Sequence, residues 1–263
     1  MQQILLYLFL SCCSLAFAQQ KSIDAVFIAS DNTEGAVFVG KDPFGFSYTI
    51  KDNEFRKSNA TQKFQYRNLT FGRIKQVDLQ SPLQIVLYYK SFNAAVLLDN
   101  QLNETTKINF SESNPELFPT AVSLASQNRL WLFDQNSQKL GLYDIYKNTF
   151  SAVSSPIKDT PVQYQSDYNY FYWIDGNQNC YVSNIFGKIS FLGKAPEADA
   201  IQFISTSQVL LKKGNLLSLY NLENQTAQIV PILEKSIESF YYKEQILSIF
   251  TDNEIKNYKI ILP

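Results

Sequence analysis

The chain has 263 residues, of which 45% are apolar and 14% aromatic, and its 23 Lys and Arg nearly balance its 24 Asp and Glu. This composition provides ample material for a folded core, and the length fits one all-β domain. A net charge of −1 argues against the one-sign field that a nucleic-acid groove needs. The chain contains no His, which argues against Ser-His-Asp or Cys-His nucleophile pairs and against His-ligated metals.

The first residues have the pattern of a signal peptide. The apolar run from Ile4 to Phe17 ends in Ala16-Phe17-Ala18, a small-x-small site that predicts cleavage after Ala18. The run is about 14 residues long, short of the ~20 that span a bilayer. Lipidation at Cys12 or Cys13 is the minority alternative, because the preceding residues fit a lipobox poorly. We therefore predict an exported protein, periplasmic or associated with the outer membrane, with residues 1–18 removed and no transmembrane segment in the mature chain.

Cleavage would leave Cys180 as the single cysteine of this chain. One thiol cannot form an internal disulfide, so the predicted fold depends on its core. Without a His or a second Cys nearby in the sequence, Cys180 is expected to be a small buried residue of a strand.

The mature sequence consists of short predicted strands that recur with a common turn. In each copy an apolar strand ends near a polar residue and is followed by a turn rich in Asn and Gly, residues that tolerate left-handed backbone. The equivalent positions are Lys57, Asp99, Asp144, Asn184, Asn221 and Lys259. Their spacings of 37 to 45 residues fit the four-stranded blade of a β-propeller.

The strands within a repeat and the two chain ends agree with this interpretation. The last repeat, Ile237 to Leu262, has room for only three strands, and Ser22 to Ser30 supplies one more before the first repeat. The strands predicted in the third repeat are Ala121 to Ser126, Arg129 to Asp134, Lys139 to Ile145 and Phe150 to Ser154. We predict that residues 19–263 form one all-β domain, a six-bladed β-propeller whose N-terminal strand completes the last blade and closes the ring.

Three predicted second strands end in apolar or aromatic residues followed by Asp: Leu130 to Asp134, Phe171 to Asp175 and Leu247 to Asp252. This pattern resembles the Tyr-Trp-Thr-Asp and NHL-like six-bladed propeller repeats, over the whole mature chain in spacing and over three repeats in motif. The cleavage site and the bias towards Asn, Lys, Tyr and Phe resemble exported envelope proteins of the Bacteroidota. Such propellers include binding platforms, sugar-lactone hydrolases and factors for outer-membrane protein assembly, so the resemblance implies an architecture without selecting a function.

Two acids are candidates for an axial site. Asp42 and Asp78 lie in or beside predicted first strands, which converge on the axis of a propeller, and two carboxylates there would hold a divalent cation for a hydrolase or lyase. The other first strands carry Ser, Gln and Tyr, which favours a polar, water-filled channel with no metal or other cofactor. The run Asp175 to Asn179 has the alternating oxygens of a calcium loop but no closing Glu, and it is predicted to be a hairpin turn.

The longest connection between blades, Ser111 to Pro119, contains Leu117 and Phe118 where a surface loop is normally polar. Exposed apolar residues on a rigid scaffold often mark a partner site, and the alternative is that these two residues tuck beneath the propeller. The sequence therefore predicts a non-catalytic platform for an envelope protein or complex, in its most specific form an accessory subunit of an outer-membrane assembly or secretion complex. The alternatives are a hydrolase or lyase with an axial cation and a carbohydrate-binding propeller that uses exposed Trp and Tyr.

Overall fold

The computed structural model describes residues 23–33, 35–252 and 254–263. The predicted signal peptide, its cleavage site and both Cys12 and Cys13 lie outside these ranges. Within them the strands form six antiparallel four-stranded sheets, and no helix of the described residues is long and apolar enough to cross a membrane.

Each sheet is one blade, and its strands follow one another in the sequence. Blade 1 contains β2 (Val37–Lys41), β3 (Ser47–Lys51), β4 (Glu54–Ser58) and β5 (Lys63–Tyr66). Blade 2 contains β6 (Gln76–Ser81), β7 (Gln84–Tyr89), β8 (Ala94–Leu98) and β9 (Glu104–Asn109). Blade 3 contains β10 (Pro119–Ala125), β11 (Arg129–Asp134), β12 (Lys139–Asp144) and β13 (Thr149–Ala152). Blade 4 contains β14 (Gln163–Ser166), β15 (Tyr170–Ile174), β16 (Asn179–Asn184) and β17 (Ile189–Lys194). Blade 5 contains β18 (Ala200–Phe203), β19 (Gln208–Lys213), β20 (Leu216–Asn221) and β21 (Thr226–Ile229).

Blade 6 joins the two ends of the chain. Its strands β22 (Ser239–Lys243), β23 (Ile246–Phe250) and β24 (Glu254–Ile260) are followed in the sheet by β1 (Ala25–Asn32), the first strand of the described chain. The antiparallel pairing of β1 with β24 runs from Ala25 opposite Ile260 to Asn32 opposite Glu254. This confirms the predicted six-bladed propeller and its closure by the N-terminal strand.

The repeated turns have the backbone that their residues predict. All six equivalent positions lie in, or directly after, the third strand of a blade. In blades 2 to 5 the turn that follows contains a left-handed residue, for example Asn148, at a φ of 53°, or Gly187, at a φ of 82°. At Gly187 an added Cβ would collide with the carbonyl oxygen of Val153, so glycine is required there.

The core lies between the blades, where apolar sheet faces meet. Trp131 and Trp173 are both fully buried within one such cluster, together with Phe171. Cys180 is a buried free thiol, as predicted, and burial raises its pKa to about 11. Two short helices, Lys90–Phe92 and Phe110–Ser113, interrupt the strand pattern in and after blade 2.

Removal of residues 25–32 tests the closure. It would leave the backbone N–H and C=O groups along one side of β24 unpaired, an open edge that pairs readily with other chains. We expect the truncated protein to unfold at a lower temperature and to elute as larger species in size-exclusion chromatography. The matched control, Val26→Ser, alters an exposed side chain of β1 and keeps the pairing, so it should behave as the wild type. Equal unfolding temperatures for truncated and full chains would contradict this role of β1.

Candidate functional site

The alternating strand directions give the ring two distinct faces. Hairpins between first and second strands and between third and fourth strands lie at one end of the blades, which we call the hairpin face. Hairpins between second and third strands lie at the other end with the links between blades, and we call this the link face. The links after blades 1 to 5 are 67–75, 110–118, 153–162, 195–199 and 230–238.

A cavity of about 410 Å³ lies on the axis and is lined by the innermost strand of every blade. Its lining contains both apolar and polar side chains. The polar side chains of the lining are Gln76, Asp78, Gln80, Ser123, Tyr164, Gln165, Ser166, Gln202, Tyr241, Tyr242 and Lys243.

Several of these polar side chains join one innermost strand to the next. The Gln165 amide donates to the carbonyl oxygen of Phe203 and accepts from its N–H, both at 3.0 Å. The Gln202 amide makes the same pair of bonds with Tyr242, at 2.6 and 2.8 Å. The innermost strands of neighbouring blades splay apart and do not form a β-ladder with each other. Each amide therefore supplies hydrogen bonds to the backbone of the next innermost strand. Much of the axial polarity is therefore structural.

Asp78 lines the axial cavity, as predicted, and its carboxylate is engaged by backbone. Oδ1 accepts from the N–H of Gln80 at 2.8 Å, and Oδ2 accepts from the N–H of Leu124 in blade 3 at 2.6 Å. Burial raises the pKa of Asp78, against the opposing effect of these two bonds and of Lys243. The Lys243 ammonium group donates to the carbonyl oxygens of Leu79 and Gln80 and so connects blade 6 to blade 2.

The prediction that Asp42 shares the axis with Asp78 is wrong. Asp42 follows β2 in the first hairpin of blade 1 and lines a separate cavity of about 220 Å³. Its Oδ1 accepts from the N–H groups of Phe44 and Phe46, and its Oδ2 accepts from the Tyr48 hydroxyl at 2.8 Å. The sequence did not reveal that the strand ends one residue before Asp42, which turns the carboxylate into the hairpin. Within the described ranges no group of three or more His, Cys, Asp and Glu side chains is placed to hold a metal ion.

The Asp175 carboxylate stabilises its own turn, as predicted. Its Oδ1 accepts from the N–H groups of Asn177 and Asn179, and its Oδ2 accepts from the Asn179 side chain, at 2.8 to 2.9 Å. All three donors lie within the hairpin, so the alternating oxygens of this segment serve turn geometry.

The structure separates the two predicted partner residues. Leu117 is buried in the core between blades 2 and 3, whereas Phe118 is 48% exposed on the link face. The link folds back because the short helix Phe110–Ser113 is followed by a turn in which the Leu117 N–H donates to the Asn114 carbonyl oxygen. The prediction that Leu117 is available to a partner is therefore wrong for this conformation, and Phe118 remains the candidate.

Other exposed apolar residues of the link face were missed by the sequence analysis. They are Leu69, Phe92, Val162 and Leu233, and all four lie in links or in second-to-third-strand hairpins. An apolar residue within a polar connection is the signal that would have found them. Both Trp residues are buried, so a carbohydrate site on this ring would have to use other aromatic residues, such as the exposed Tyr146 and Tyr170.

No protein-family model matches the chain, and no curated protein matches it. Several solved structures, in contrast, are similar to it. A catalytically inactive histidine-to-alanine variant of virginiamycin B lyase from Staphylococcus aureus with quinupristin has a TM-score of 0.56 and 12% identity over 91% of this chain and 99% of its own. The Cps50 (Swd1) β-propeller domain of Myceliophteria thermophila has a TM-score of 0.59 and 7% identity, covering 90% and 100%. A DUF4221 family member from Bacteroides vulgatus has a TM-score of 0.57 and 8% identity, covering 92% and 99%. Identities this low show a shared propeller fold.

The raised pKa of Asp78 predicts how its contribution to stability changes with pH. Between its unfolded and folded pKa values the folded state keeps a proton that the unfolded state releases, so a rise in pH destabilises the fold. We expect the unfolding free energy of the wild type, relative to Asp78→Asn, to fall as pH rises from about 4, by at most about 1.4 kcal/mol per pH unit. Urea unfolding at a series of pH values measures this difference. A difference that grows with pH would contradict the assignment.

Proposed function

We propose that the protein is a non-catalytic binding platform, exported to the cell envelope, that binds an envelope protein through its link face. The observation that carries this proposal is the position of Phe118, an exposed aromatic ring on fixed backbone. Its N–H donates to the Asp134 carboxylate at 2.9 Å, and its carbonyl oxygen accepts from the Gln135 N–H at 2.9 Å. Leu117 anchors the preceding residue in the core. Aromatic anchors held in this way are typical centres of protein interfaces.

The rest of the link face is also held rigid. The Asn53 side chain donates to the Gly72 carbonyl oxygen at 2.6 Å and accepts from the Ile74 N–H at 3.0 Å. In blade 5, Asn215 makes the equivalent pair of bonds with Lys235 and Ile237. Each bond ties a hairpin to the neighbouring link, so a partner would find the surface already ordered. Binding then costs less conformational entropy.

The chemistry of the face favours a protein partner. Leu69 and Leu233 are 83% and 97% exposed, and both lie in links of the same face as Phe118. Apolar side chains presented by polar loops lower the free energy of a complex when a partner removes them from water.

The envelope location rests on the sequence. The segment from Ile4 to Ala18 has the apolar run and cleavage site of a secretory signal peptide, and the mature domain would be residues 19–263. An accessory subunit of an outer-membrane assembly or secretion complex is the most specific form of the proposal, and the resemblance to exported propellers supports it.

The enzymatic alternatives have less support. The cation hypothesis needed two carboxylates on the axis, and only Asp78 lines that cavity, with both of its oxygens bonded to backbone N–H groups. The lyase among the similar structures is inactive when one histidine is replaced by alanine, and this chain contains no His. The likeness to that lyase therefore supports the fold and not its chemistry.

The variant Phe118→Asp tests the proposal, with Phe186→Asp as the matched control. Phe186 is 84% exposed in the turn between β16 and β17 on the hairpin face, so its replacement makes the same chemical change on the opposite side of the ring. Each tagged protein is recovered from its native envelope after mild crosslinking, and crosslinked chains are quantified by mass spectrometry. We expect one envelope protein to crosslink to the wild type and the control, with at least tenfold lower yield for Phe118→Asp.

Thermal unfolding of both variants checks that each remains folded. Equal crosslinking of the wild type and Phe118→Asp would contradict the link-face platform. A wild-type protein with no partner and a near-stoichiometric divalent cation would favour the enzymatic alternative.

A further inference from the structure

The seam between blade 6 and blade 1, where the ring closes, differs from the other contacts between blades. Its buried apolar cluster is small and consists of Phe38 on the innermost strand β2, Phe250 on β23 and Ile255 on β24. Elsewhere in the described chain the apolar clusters extend outwards, as in the contact of blades 2 and 3, which includes Ile108 and Tyr143. The outer part of the seam is therefore not filled by apolar side chains.

The reason is the sequence of blade 1, whose face towards blade 6 is polar beyond its innermost strand. Thr49, Arg56 and Gln65 lie opposite one another on β3, β4 and β5, in line with Phe38. Alternate residues of a strand point to opposite faces, so the neighbouring residues form the apolar face towards blade 2. The second polar row on the seam side is Lys41, Ser47, Ser58 and Lys63.

Apart from Lys41, the residues of these rows form one wall of a groove of about 780 Å³, the seam groove. The opposite wall is the end of β1 with Asp31 and Thr33, Ile255 lies at the bottom, and the ring of Phe44 stands at the rim. Thr33 is 6% exposed, and its hydroxyl oxygen is buried with no hydrogen-bond partner in the described part of the chain. A buried hydroxyl without a partner is unusual, and this one belongs to a residue that lines the groove.

The charges of the seam groove favour an anion. Arg56 donates from its Nε atom to Glu54 at 2.6 Å, and its two terminal amino groups have no bonded partner within residues 23–33, 35–252 and 254–263. Lys63 lies on the same face, and Asp31, the acid among the described residues of the lining, is already paired with Lys41 at 3.3 Å. A guanidinium group binds a carboxylate or a phosphate through two parallel hydrogen bonds, and the carboxylate is the anion that we propose and test.

We propose that the seam groove binds an acidic saccharide. Hydroxyl groups of the sugar would bond to Thr49, Ser58 and Gln65, the carboxylate would bind Arg56, and an apolar sugar face would pack on the ring of Phe44. The groove does not include Phe118, so this proposal and the link-face platform stand or fall separately.

Isothermal titration with trigalacturonate, a carboxylate-bearing trisaccharide, tests the proposal against the neutral trisaccharide maltotriose. We expect the wild type to bind trigalacturonate saturably and maltotriose at least tenfold more weakly. Arg56→Gln should weaken trigalacturonate binding at least tenfold, because it removes the carboxylate partner. The matched control Lys147→Ala also removes one positive charge, from a side chain that is 77% exposed in blade 3, and it should change the affinity by less than twofold.

The variant Thr49→Val covers the case in which Arg56→Gln fails to fold. It is nearly isosteric and removes one hydroxyl group from the groove wall, so it should bind at least threefold more weakly with an unchanged unfolding temperature. Absence of saturable trigalacturonate binding by the wild type overturns the proposal, as does equal binding of the neutral trisaccharide. Wild-type affinity in a folded Arg56→Gln variant, or in Thr49→Val, also overturns it.

Discussion

The pairing of β1 with β24 is the constraint on which the rest of the molecule depends. It joins residues from the two ends of the chain and leaves no blade without a neighbour on either side. Because the paired segments are far apart in the sequence, this contact has a high entropic cost of closure, and the antiparallel ladder must offset it. Once the ring is closed, the six innermost strands are held around one axis, and the links and hairpins are fixed as two opposite faces.

The distribution of polar groups explains why we propose binding through the surfaces of the ring and not through its axis. Around the axis Gln165, Gln202 and Asp78 use their side chains to bind the backbone of a neighbouring blade. These side chains fix neighbouring blades relative to each other, and their polar atoms are already hydrogen-bonded, so few of them are left to bind a ligand. On the link face Phe118 is presented outward on backbone that the same kind of hydrogen bond keeps in place. At the seam the terminal amino groups of Arg56 have no bonded partner in the described part of the chain. Rigid support with exposed or uncommitted groups is typical of a binding site.

The sequence predicts the architecture better than the sites. In blades 2 to 5 the turn after the third strand contains left-handed backbone, and residues such as Asn148 and Gly187 recur there at the spacing of a blade. Site residues depend on where a strand ends to within one residue, which no local pattern specifies. This is why Asp42 was expected on the axis. Leu117 was expected at the surface because the sequence does not show that its link folds back onto the core. The polar face of blade 1 at the seam can be predicted from the sequence. Thr49 and Arg56 alternate with Tyr48 and Phe55, and this period of two indicates a sheet with one apolar and one polar face.

The most direct test of ring closure is native-state hydrogen exchange followed by mass spectrometry, read on the peptide that contains β1. If β1 completes blade 6, backbone amides of Ala25–Asn32 that bond to β24 are protected to the same extent as those of β24, and both segments lose protection together in denaturant. Rapid exchange throughout Ala25–Asn32, with β24 protected, would show that the N-terminal strand does not close the ring. Such a result would contradict the closed six-bladed ring and the arrangement of its two faces.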